Sequence, residues 1–206
     1  MFALIDKQQI TKFYSGNRGI TLEDIQYPRS IFTLWSEAER NAIGIFEVTV
    51  DTTNKKDEEW YINTNISYGV ESNKAVGSYG AATAKAIDDT LWTQEDSDNG
   101  LLPSDKSVGD VKVEGLKTIK KRIVKQQAAG ILQDTDWYIV RKADAGTAVP
   151  SAVTTHRAAV RTKCAEMETA ITNAADTPAL ETLYTYTEQE DGSVTRPLGE
   201  LPTLES

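Results

Sequence analysis

Hydrophobic periodicity changes character once along this chain, and that change constrains the fold more than any other feature. Trp60, Ile62, Thr64, Ile66, Tyr68 and Val70 share one parity, with Tyr61, Asn63, Asn65, Ser67 and Gly69 on the other. Period two over such a run predicts a strand with one buried and one wet face. Farther on the period becomes helical. Val113, Leu116, Ile119, Ile123, Val124 and Ile131 fall on one arc at about 100° per residue, with Lys120 and Gln127 intruding. Lys117, Lys121 and Lys125 form a stripe beside that arc. Between the two patterns, TQEDSDNGLLPSDKSVGD is polar, acidic and punctuated by Gly100, Pro103 and Gly109, as a linker would be. The expected class is therefore α+β: a β-rich N-terminal domain over 1–92, a linker over 93–110, a helical domain over 111–184 and an extended acidic tail over 185–206.

Local signals fill this frame. Phe2, Leu4 and Ile10 to Tyr14 flank DKQQ and suggest a short hairpin. Ser36 and Glu39 have capping-box spacing and Gly44 sits at a C-cap, so a short helix should precede the strand IFEVTVD and the polar loop tip TNKKDEE. The segment AVGSYGAATAKAIDD is rich in small residues; its end, from Ala81, is compatible with helix. A second long helix should begin at or just after Pro150, with Val153, Val160, Cys164, Met167 and Ile171 on one stripe. Cys164 then reads as a small core residue rather than a nucleophile. Thr177-Pro178 should cap a third helix ending near Tyr184, and the turn-rich remainder, with Pro197 and Pro202, reads as tail.

Composition and charge exclude several function classes. The net charge of −9 argues against a general nucleic-acid binder. Its distribution is uneven: residues 1–108 carry −7, 109–163 carry +6 and 164–206 carry −8. A basic middle between acidic flanks suits head-to-tail self-association or an acidic partner, although charged faces in water are the plainer account. No apolar run approaches the roughly 20 residues of a membrane span. MFALIDKQQI has neither a basic nor a long apolar region, which points away from a secretory signal and toward synthesis in a cytosol. The sequon Asn65-Ile66-Ser67 accordingly carries little weight.

Chemical motifs are equally sparse. One Cys excludes an intrachain disulfide and a multi-thiolate metal site. Asp96, Asp98 and Asn99 are oxygen donors, but they lack the spacing of a calcium loop. The one His, His156, stands on a helix with no Ser or Cys placed beside it by spacing, and Asp88-Asp89 looks like a solvated turn. Phosphate-loop, nucleophile-elbow and zinc-protease patterns are missing. The expectation is a protein with no catalytic residues, no cofactor and no metal, working through its surfaces.

One segment stands out. In DTDWYIVRKADAGTAVPSAVTTHRAAVR, Asp136 and Trp137 end or continue the first long helix, and Arg141 follows one turn later. Gly146 and Pro150 then reverse the chain into a helical hairpin. That arrangement lets Arg157 or Arg161 meet Asp136 or stack on Trp137. These five residues, Asp136, Trp137, Arg141, Arg157 and Arg161, are the candidate interaction site, with a hairpin lock as the plainer role.

The same segment resembles a motif near the C-terminus of short tail proteins of tailed bacteriophages, including the tail-fibre-assembly-like family. Their run R…LLxxTDWYVxRxxExGxxxPxxVxxYRxxxR is matched here by Leu132, Asp136, Trp137, Arg141, Pro150, Arg157 and Arg161. His156 replaces the usual aromatic, and Asp144 replaces the usual Glu. FALIDKQQITKFY and YPRSIFTLWSEAERNAIGIFEV look more loosely like the opening of such proteins. The resemblance implies a structural protein of the phage virion, made in the host cytoplasm. It would attach or connect tail-fibre, spike or baseplate components, with other tail proteins as partners and a homo-oligomer, by family habit a trimer. A tail-fibre assembly chaperone absent from the mature particle is the alternative, and a small glycan hydrolase a third.

Overall fold

In the computed structural model, which describes residues 1–204, the chain is α+β, with a curled sheet in its N-terminal half and helices C-terminal. It divides into two compact units, Met1–Thr83 and the chain from Ala84 onward.

The first unit runs β1 (Phe2–Asp6), β2 (Gln9–Tyr14), β3 (Ile20–Leu22), β4 (Ile25–Tyr27), a 3-10 turn (Arg29–Phe32), α1 (Glu37–Ala42), β5 (Ile45–Asp51), β6 (Tyr61–Ile62), β7 (Ser67–Glu71), β8 (Lys74–Ser78) and β9 (Thr83–Ala84). Its main sheet has the order β2-β1-β5-β8-β7, antiparallel except for the parallel pair β5–β8. Two tight hairpins supply its edges. Lys7 and Gln8 between β1 and β2, and Ser72 and Asn73 between β7 and β8, all have positive φ of 48–65°. Two left-handed residues in succession make the turn whose twist matches paired strands. The Gln8 side chain donates to Asn73 Oδ1 at 2.8 Å, tying one turn to the other. The sheet curls so far that Phe13 on β2 packs edge-on to Tyr68 on β7, with centroids 4.9 Å apart.

The curl encloses Ile20, Ile31, Phe32 and Ile45, flanked by Phe2, Tyr14, Tyr27 and Trp35. The expected capping box is present, Ser36 accepting from the Glu39 N–H while Glu39 accepts from the Ser36 N–H, and Gly44 is left-handed at φ +81°. Arg40 on α1 is buried over the Phe2 ring and donates to the Trp35 carbonyl.

The long alternating strand over 60–70 does not form. Trp60 and Tyr61 are both buried while Ile62 is 60% exposed, so parity fails at the start. Asn63 bonds both the N–H and the carbonyl of Lys56 at 2.8 Å, and Thr64 Oγ accepts from the Gly80 N–H at 2.7 Å. These side chains occupy main-chain groups of opposing loops, so the segment breaks into β6 and β7. The segment after Ala81 forms β9 rather than a helix.

The second unit runs β10 (Thr90–Leu91), α2 (Gln94–Asp98), β11 (Val111–Val113), α3 (Leu116–Gln133), α4 (Asp136–Ala145), α5 (Ser151–Asn173), α6 (Thr177–Tyr184), β12 (Thr187–Glu188) and β13 (Val194–Thr195). Residues 93–110, expected as a linker, form a closed loop within this unit. β10 pairs with β11, and Trp92 and the Gly109–Asp110 pair exchange backbone hydrogen bonds at its base. Thr93 and Asp96 make a capping box for α2. Lys112 reaches Asp96 at 2.6 Å while lying over the Trp92 ring. Asp96 is held down at about 2, first by that lysine and then by the Thr93 N–H and hydroxyl.

Asp88 is solvated in a bend, as expected, whereas Asp89 is an anchor. The Asp89 carboxylate accepts from the Gly115 N–H at 2.7 Å and the Thr118 hydroxyl at 2.9 Å, satisfying donors at the start of α3. Asp88 pairs with Lys117 at 3.1 Å. A Cβ on Gly115 would lie 2.3 Å from the Asp88 carbonyl carbon, so only glycine fits.

α3 and α5 pack antiparallel: Arg157 near the start of α5 meets the end of α3, and Glu168 farther along meets Lys125. The buried line of α3 is Leu116, Lys120, Val124 and Ala128. Lys120, an apparent intruder, belongs to it, its ammonium lying 4.7 Å from the Tyr184 ring centroid, whereas Ile123 is partly exposed. On α5 the buried residues are Val153, His156, Arg157, Val160, Met167 and Ile171, with Cys164 half-buried beside them. Burial, then Glu168, pushes the Cys164 thiol up. α6 is capped by Asp176, one residue before the expected Thr177. The region read as an extended tail folds back over its described part, and Glu205 and Ser206 lie outside the described residues. Its β12–β13 ladder is followed by Leu198, which is buried and donates its N–H to the Leu183 carbonyl at 3.0 Å.

Candidate functional site

The helix that carries the Asp-Trp pair is not a continuation of α3. The chain breaks at Asp134-Thr135, where the Thr135 hydroxyl folds back onto the Leu132 carbonyl at 3.0 Å. The break leaves carbonyls at the C-terminus of α3 and donors at the N-terminus of α4 without helical partners. Arg157, 7% exposed, enters this gap from α5. One guanidinium nitrogen donates to the Leu132 carbonyl and to the Thr135 hydroxyl, each at 2.7 Å. The other meets Asp136 at 2.8 Å. A cation at the negative end of α3 and an anion at the positive end of α4 both have the sign that the helix dipoles favour. The planar fork matters here, because a lysine cannot serve three acceptors in those directions.

The five candidate residues therefore divide. Arg157 and Asp136 are brought together. Trp137 and Arg141 are brought together separately, one turn apart on α4, with the guanidinium carbon 4.6 Å from the Trp137 ring centroid and 5.4 Å from that of Tyr138. Arg161 joins neither pair; among the described residues it donates to the Arg157 carbonyl at 3.4 Å. Leu132 and Thr135 complete the latch, and Tyr138 completes the stack. The sequence did not mark Thr135, and nothing in the spacing shows that the Leu132 carbonyl is an acceptor.

What the latch holds in place is an apolar surface. α4 has no buried residue along its length. Trp137 is 51% exposed, Ile139 43% and Val140 66%. Gly146, left-handed at φ +69°, ends the helix with its N–H on the Lys142 carbonyl, so both ends of α4 are defined while its flank is open. A three-turn helix of this kind is too short to persist alone in water, so its order depends on the latch.

Among the described residues, no group of three or more His, Cys, Asp or Glu is placed to hold a metal ion, and no helix is long and apolar enough to cross a membrane. No family model matches the chain, and neither the curated proteins nor the solved structures contain a similar relative.

Proposed function

We propose that this chain is an attachment protein of a tailed-phage particle that joins tail-fibre, spike or baseplate components through protein–protein contacts, with α4 as the contacting element. The observation that carries the reading is the exposure of Trp137, Ile139 and Val140 on a helix that Arg157 pins by its first turn. Trp137 and Val140, three residues apart, share one flank of α4, and an exposed aromatic beside an aliphatic side chain and an arginine has the chemistry of an interface. The resemblance of the Asp136-Trp137…Arg141…Pro150…Arg157 run to phage tail proteins supplies the setting. A homo-oligomer, with a trimer as the family habit, belongs to the same proposal.

Mass spectrometry of purified particles tests the reading. An attachment protein should be present at a fixed copy number relative to the major tail proteins. Its absence from particles, with co-purification alongside a fibre protein during expression, would replace this reading with an assembly chaperone.

A further inference from the structure

The first unit carries a feature that the attachment reading does not use. In the loop between β2 and β3, Ser15, Gly16, Arg18 and Gly19 line a cavity of about 500 Å³. Lys12 and Arg18 line it together with Ser15 and Thr21, and no Asp or Glu does. That sign is notable in a chain of net charge −9. Lys12 lies 5.3 Å from the Tyr14 ring centroid. Among the described residues, neither cation is paired with a carboxylate.

The loop also lies close against its neighbours at two glycines. Gly16 is left-handed at φ +76°, and a Cβ there would meet the Phe2 ring at 3.0 Å. A Cβ on Gly19 would sit 2.7 Å from the Tyr27 carbonyl oxygen. Both glycines therefore press the backbone onto the core, and the intervening residues are held between two fixed points. No described acceptor takes a hydrogen bond from the main-chain N–H of Gly16, Asn17 or Arg18. Successive free N–H groups in a tight loop beside two cations make a concavity suited to an oxyanion. Phe13 and Tyr14 of β2 also line the cavity.

We propose that this cavity binds a phosphate group, free or esterified to a sugar, with Arg18 and Lys12 as the charged contacts and the 16–18 backbone as donors. Two cations match a dianion, and arginine can engage two phosphate oxygens at once. The site lies in the first unit and stands or falls separately from attachment through α4.

Titration of the full chain with inorganic phosphate and with glucose 1-phosphate, at ionic strength held constant with chloride, tests it. Saturable shifts of the amide resonances of residues 15–19 are expected with at least one of them. Tighter binding of the ester identifies a phosphorylated sugar as the source, and equal affinity identifies free phosphate. Arg18→Gln and Lys12→Gln should each weaken binding about tenfold, the loss of one charge-assisted contact, while Lys74→Gln on the β7–β8 hairpin should leave it unchanged. All three positions are exposed, so the variants should keep the wild-type spectrum elsewhere. Shifts that fail to saturate, or that survive unchanged in Arg18→Gln, would overturn the proposal.

Discussion

At the scale of single residues, the second unit depends on Arg157. Its side chain is buried and serves three acceptors from two helices, whereas the Asp136 side chain is 56% exposed and exchanges part of its pairing for water. The two substitutions should therefore differ. Arg157→Ala removes the partner of a helix-terminal carbonyl and should cost about 2 kcal/mol in urea unfolding. Asp136→Asn should cost no more than about 1 kcal/mol, since a half-wet pair is worth little. Equal losses would mean that the ion pair, not the carbonyl cap, is the important contact. A smaller prediction concerns the first hairpin. Lys7 stands at φ 48°, where a side chain costs about 1 kcal/mol and asparagine suffers least. Lys7→Asn should raise stability by about 0.5 kcal/mol in the same assay.

At the scale of elements, legibility followed how local the determining interactions are. The β1–β2 hairpin, α1 with its capping box, and the start of α5 after Pro150 could all be read, because each depends on residues within a few positions of one another. The 60–70 strand could not, because Asn63 and Thr64 are committed to loops at Lys56 and Gly80. Nor could the role of Asp89, whose donors on Gly115 and Thr118 lie far along the chain, nor that of Lys120, whose ring partner is on α6. In the candidate site, hairpin geometry offered Arg157 or Arg161 as a partner for Asp136 or Trp137 and could not choose; the pair formed is Arg157 with Asp136. The break between α3 and α4, which creates the surface, was not, because the helical period carries on through it.

The α2 loop yields a pH prediction. Asp96 is depressed from 3.8 to about 2 by Lys112 and the Thr93 N–H and hydroxyl. A depressed carboxylate stabilises the fold above its unfolded pKa and loses that contribution as pH falls through the folded value. The α2 loop should thus keep its structure at pH 5 and loosen between about pH 4 and pH 2. Amide exchange of residues 93–99 should accelerate across that window. In Lys112→Met the Asp96 midpoint should move upward and the acceleration should begin at higher pH.

At the scale of the whole molecule, the chain pairs an acidic, curled sheet unit with a helical unit whose basic middle is largely matched internally. Lys117 with Asp88 and Lys125 with Glu168 pair two of the three stripe lysines of α3, and Arg122 beside them pairs with Glu114. Charge alone therefore gives α3 little pull on an acidic partner, and the apolar flank of α4 is the stronger basis for association. The account's central claim is that this flank is buried against another component in the assembled particle. The direct measurement is the copy number, by quantitative mass spectrometry of purified particles, of a Trp137→Ser, Val140→Asp variant supplied in place of the wild-type chain. Both positions are exposed, so the variant should fold with wild-type circular dichroism and unfolding midpoint. The account predicts that this folded variant is depleted from particles at least tenfold. Incorporation at the wild-type copy number would contradict it.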